Sequence, residues 1–225
     1  MRIEIDPSNT PASYSNLVKK SVGVGVRDAH QLLSQAVSDR LQVRVTVDTQ
    51  LASSAVGTTS RDGERMHIRV GLNTPASRIA ITASHETLHA IRNSTGASKW
   101  RKVGATCLEE GLAMHLESYL EAQTRVKDNY ATHYVPDHLL TRKGSIESAR
   151  LIDSLRRTLP PPFSFGSRSF TTLIRMGPLP EIVYATGFSA LCLLRAPADP
   201  IDAQLFLAAS SDLFERLAEA AALRH

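Results

Sequence analysis

The residues with the clearest chemical potential form one short run, Ser84-His85-Glu86-Thr87-Leu88-His89, a His-Glu-x-x-His pattern. On a helix, residues four apart share a face one turn apart, so His85 and His89 are spaced to grip a single Zn2+ ion. Glu86 is rotated beside them, where its carboxylate can take the proton of an activated water. A hydrolytic zinc site wants three protein ligands and one open position, so a third Asp, Glu or His must come from elsewhere. With 8 His in the chain the pattern can arise by chance, and its surroundings set its weight. They favour it, because the run lies inside an apolar helical pattern, where two imidazoles are costly to bury unpaired.

The third ligand is sought in Cys107-Leu108-Glu109-Glu110-Gly111-Leu112-Ala113-Met114-His115-Leu116-Glu117. The separation from His89 suits a turn followed by a return helix. Helical phase puts Glu109 among Leu112, Ala113, Leu116 and Leu120 on the apolar face, with Glu110 at its edge. Phase alone favours Glu109, whereas a metal approached from the edge of the stripe favours Glu110. Glu117, seven residues beyond Glu110, is either a hydrogen-bond partner for a ligand imidazole or a solvated helix carboxylate.

The two halves together resemble the gluzincin metallopeptidases, in which a glutamate just before Gly, in a pattern such as EGLA, completes a HExxH site. Within that group the chain is most similar to the microtubule-associated tyrosine carboxypeptidases and the bacterial proteins named after a QEGLA motif. HETLHAIRNSTG (85–96) resembles that family's His-Glu helix and EEGLAMHLE (109–117) its second helix. Arg175-Met176-Gly177 and Tyr184-Ala185-Thr186-Gly187-Phe188 resemble later Arg-Gly and Tyr-x-x-Gly segments. The resemblance implies one Zn2+ per chain held by His85, His89 and Glu110, with Glu86 as general base. It also suggests action on C-terminal residues of protein tails. Tyr184 is the candidate oxyanion donor, with a buried core tyrosine as its plain equivalent. Tyr119, His115, His133 and Tyr134 are rival donors. Arg92 and Arg175 are candidates to bind a terminal carboxylate, with surface salt bridges as the alternative.

These residues need elements to position them. Arg2–Ile5 alternates like a short strand, and a helix is expected after the Pro7–Pro11 break and over 27–41. Val43, Val45 and Val47 alternate, as do Met66, Ile68 and Val70, so two strands are expected to pair across a loop carrying the Ser60–Gly63 turn signal. The second of them is expected to be an edge strand beside the active-site helix, open to an extended peptide. Asn73-Thr74-Pro75 starts that helix and Gly96 ends it. Further helices are expected over 107–124, 146–155, 180–194 and 203–223. Gly23-Val24-Gly25 lacks the context of a phosphate loop.

At 225 residues, with 42% hydrophobic and 21% charged, the composition is that of a globular chain and excludes disordered and collagen-like classes. Cys107 and Cys192 stand alone, which leaves a disulfide framework and a Cys-rich zinc site unsupported. The formal charge of +4 comes from dispersed basic residues, which argues against nucleic acid as partner and suits an acidic peptide or protein. No apolar leader or membrane-spanning run is present, and the expected address is cytoplasmic.

The expected fold is α+β and zincin-like, one catalytic domain over 1–225. A small N-terminal sheet and the His-Glu helix (about 1–96) precede a mainly helical part (97–225) that brings the third ligand. The expected function is zinc-dependent peptide hydrolysis, with internal or terminal cleavage left open. The alternatives are a non-catalytic zinc-binding or substrate-capturing module and a helical interaction domain with a coincidental HExxH.

Overall fold

The computed structural model describes residues 2–6, 12–33, 39–51, 53–60, 62–95, 103–124 and 141–158, together with Gly187 and Arg216. Among them the fold is α+β, with one small mixed sheet and four helices. The elements in chain order are β1 (Arg2–Ile5), α1 (Ala12–Leu33), β2 (Gln42–Val47), β3 (Ala55–Thr59), β4 (Arg65–Val70), α2 (Ala76–Ser94), α3 (Val103–Thr124) and α4 (Arg142–Thr158). Those up to α2 belong to one compact unit, and α3 and α4 to a second. The expected helices over 180–194 and 203–223 lie outside the described residues.

The sheet has the order β1-β2-β4-β3. β1 runs parallel to β2 and β2 parallel to β4, whereas β3 returns antiparallel along β4. Val43, Val45 and Val47 stand opposite Met66, Ile68 and Val70, and all six are buried, so the two alternating patterns identify one apolar face. His67 faces away from them and shares a 2.9 Å hydrogen bond with Thr46.

Three expectations are corrected here. β2 and β4 do pair, but in parallel; the Ser60–Gly63 turn instead joins β4 to the unforeseen strand β3. β4 therefore lies inside the sheet, bonded on both sides, and the edge beside α2 belongs to β3. The helix expected over 27–41 has its described C-terminal residue at Leu33; Asp39 and Arg40 form a turn, and β2 begins at Gln42. α1 runs unbroken through Gly23 and Gly25, so the helix expected after the Pro7–Pro11 break and the start of the one expected over 27–41 are a single element.

α1 and α2 cover the apolar face of the sheet. Val18, Val22 and Val26 on α1 repeat every fourth residue and join Ile79, Ala83 and Ala90 of α2 over Val43, Val45, Met66 and Ile68. Burying a Val or Ile side chain of this kind contributes about 1.5–3 kcal/mol. The two helices approach closely at Gly25, where a Cβ would strike the backbone carbonyl of Ala80. Ser84 Oγ spans the same crossing, 2.9 Å from the Gly25 carbonyl and 3.0 Å from that of Ala80. At the far end of α2, Asn93 Nδ2 donates to the Ser60 carbonyl at 2.8 Å, and Gly63, at φ 72°, fits the turn below Ala90. The β3–β4 turn is thereby fastened to the helix that carries the histidines.

In the second unit α3 packs against α4. Leu112, Ala113, Met114, Leu116 and Leu120 of α3 and Ala149 and Ile152 of α4 are buried.

Candidate metal centre

α2 starts directly after Pro75, whose fixed φ of −59° leads the chain into the helix. Every residue from Ile81 to Asn93 is buried, so this helix is covered on all sides rather than on one stripe. Its polar residues need internal partners, and two hydroxyls show them: Thr87 Oγ1 donates to the Ala83 carbonyl at 2.6 Å, and Ser84 bonds as above.

His85 and His89 meet edge to face, with ring centroids 4.9 Å apart. Their Nε2 atoms lie 3.1 Å from each other. Two nitrogens bound tetrahedrally to one zinc at about 2.05 Å stand roughly 3.3 Å apart, so the pair has the spacing a shared ion requires. Potential ligand atoms of His85, His89 and Glu110 all lie within 4.8 Å of one another, and all three residues are buried. Two imidazole nitrogens and a carboxylate oxygen form a donor set that suits divalent transition-metal ions, zinc among them. These three residues are a possible metal-binding group.

Between the two candidate glutamates, the structure groups Glu110 with the histidines, although Glu109 is buried as deeply. Phase alone did not separate them because α3 is buried on both sides of that position. Glu117 and His115 are also buried on α3.

Glu86 is 6% exposed and lies against β3. Thr59 Oγ1 is 2.6 Å from Glu86 Oε2 and 3.1 Å from the Glu86 carbonyl; its single proton is best used at the nearer, charged acceptor. A Cβ on Gly57 would occupy the place of the Glu86 side chain. Sequence reasoning missed both residues because β3 was not expected. A glycine in a strand interior, two positions before a threonine, was the available signal.

Arg92 is fully buried, so a terminal carboxylate arriving from solvent meets it only after its surroundings change. Tyr184, Arg175, His133 and Tyr134 lie outside the described residues, as does the side chain of Tyr119. Gly187, at the end of the Tyr184 motif, is described and buried.

Comparison with known proteins returned no matching family model, curated protein or solved structure. Among the described residues, no helix is long and apolar enough to cross a membrane.

Proposed function

We propose that the protein is a zinc-dependent peptidase of gluzincin type with a zincin-like fold, acting on a peptide or protein substrate in the cytoplasm. The observation that carries this reading is the convergence of His85, His89 and Glu110, with Glu86 next to His85 on the same helix and its carboxylate bonded to Thr59. His85 and His89 would hold the ion through Nε2 and Glu110 through a carboxylate oxygen. When bound, zinc supplies a Lewis acid that activates water and polarises the scissile carbonyl. Glu86 accepts the water's proton and returns it to the leaving amine. Tyr184 stabilises the oxyanion. Arg175 is the cation proposed for a terminal carboxylate, which would make the enzyme a carboxypeptidase.

β3 supports a peptide substrate. Ser60 N donates to the Arg65 carbonyl and Gly71 N to the Ser54 carbonyl, which fixes the ladder phase. By antiparallel alternation, Ala55, Gly57 and Thr59 then direct their N–H and C=O groups to the side of β3 that pairs with no strand among the described residues. An extended peptide adding there would pass Glu86.

The test is metal content beside peptide-library hydrolysis in wild type, His89→Ala, Glu110→Gln and Glu86→Gln. Near one zinc per wild-type chain is expected, lost in His89→Ala and weakened in Glu110→Gln. Glu86→Gln should keep the metal and lose turnover by about 100-fold or more. A wild type that binds no added zinc at neutral pH defeats the reading. Zinc without hydrolysis of any peptide leaves a non-catalytic metal-binding module.

A further inference from the structure

We infer that β3 is a built cradle for the Glu86 carboxylate, with Gly57 and Thr59 as the positioning residues that set its rotamer. This rests on the reading of Glu86 as the general base. Side chains on a strand alternate in direction, and Ala55, Gly57 and Thr59 share the β3 face turned to α2. All three are small, and the middle one has no side chain at all. Glycine weakens a strand interior, so its presence calls for a local reason. Here the reason is space: Glu86 Cγ, Cδ and Oε1 fill the volume that a side chain at residue 57 would take. One residue pair further along, Thr59 donates its hydroxyl to Oε2 at 2.6 Å.

The two contacts act differently on one group. A buried carboxylate without a donor is costly, and it escapes by rotating toward another partner or toward solvent. Thr59 supplies the donor that holds it, and Gly57 leaves free the volume that the end of the Glu86 side chain fills. Glu86 lies next to one metal-ligand candidate in sequence, so a displacement of its carboxylate by an ångström moves the base away from the water it must deprotonate. Neither Thr59 nor Gly57 belongs to the metal-binding group, so their loss should leave metal binding intact.

The experiment uses the full chain and measures kcat, KM, zinc stoichiometry and Tm. Thr59→Val, which keeps the shape and removes the donor, should lower kcat roughly 10- to 100-fold with KM within about twofold. Thr59→Ser should recover kcat to within about threefold of wild type, and all variants should retain wild-type zinc. Gly57→Ala should also lower kcat, because the obstacle it meets is the movable end of Glu86 rather than backbone. A readout independent of activity is a pair of double-mutant cycles in Tm. The Tm losses from Thr59→Val and from Gly57→Ala should both shrink by at least half in a Glu86→Ala background.

The inference is overturned by wild-type kcat in Thr59→Val, by equal impairment in Thr59→Val and Thr59→Ser, or by additive Tm losses. A different pattern, wild-type turnover surviving Glu86→Gln, defeats the assignment of Glu86 itself and takes this inference with it. The Tm cycles identify which has failed, since they test the contact whether or not the chain hydrolyses peptides.

Discussion

His67 shows how one side chain on the solvent face of the sheet couples folding to pH. It stands opposite Arg44 across the β2–β4 pair and two residues from Arg69 on its own strand. Partial burial first, and then these two cations, hold its pKa below the ordinary value of 6.5. The folded state therefore binds the proton less readily than the unfolded chain. The stability this neutral histidine contributes is complete above about pH 6.5 and is lost as pH falls through its depressed folded value. His67→Gln should remove that part of the slope, so that its Tm falls less than wild type's between about pH 7.5 and pH 5.5. Equal slopes would refute the argument. Asp48 has the same sign for another reason: Arg69 donates to its carboxylate from Nε at 3.1 Å and lowers its pKa, so its contribution is lost only in stronger acid. At this scale the sequence was most informative where spacing is local. The pairing of His85 with His89 was legible because four residues make one helical turn, whereas Glu110 rested on a resemblance and on its place at the edge of the apolar stripe, since no local rule relates residues on two separate helices.

Elements were legible where one periodicity ran unbroken, and hidden where glycine interrupted it. The two glycines of α1 make opposite predictions. Gly23 has no heavy atom near the place a Cβ would take, so Gly23→Ala should stabilise the chain by up to about 1 kcal/mol through helix propensity. Gly25 lies against the Ala80 carbonyl and the Ala83 side chain, so Gly25→Ala should destabilise by about 1–3 kcal/mol by forcing α1 off α2. Chemical denaturation of the two variants checks this, and a common sign for both would contradict it. β3 was missed for a related reason: Ala55-Val56-Gly57-Thr58-Thr59 has little apolar alternation, because of its inward-facing residues only Ala55 joins the core while Gly57 and Thr59 lie against Glu86. The edge character given to β4 from its position before α2 failed because an inserted hairpin partner is invisible to a reading that steps from one apolar run to the next.

At the scale of the whole molecule, the α+β class followed from the change of period along the chain, and the strand order did not. Alternation says which residues face the core; it says nothing about which strand lies next to which, or in what direction. That order now has a consequence for how the chain assembles. Arg2 pairs with Gln42, about forty positions on, while Ala55 to Thr59 pair with Met66 to Val70 just across a turn that Asn93 and Gly63 fasten to the next helix. Closing a long loop costs more entropy than closing a short one, and its contacts are rewarded later. The segment from β3 through α2 is therefore expected to organise first, with β1 joining last at the opposite edge. In pulse-labelled hydrogen exchange during refolding, amides of β3, β4 and α2 should gain protection before those of β1, and the reverse order would contradict this. The part of the chain that carries both histidines and Glu86 would then hold its shape before the sheet around it is complete.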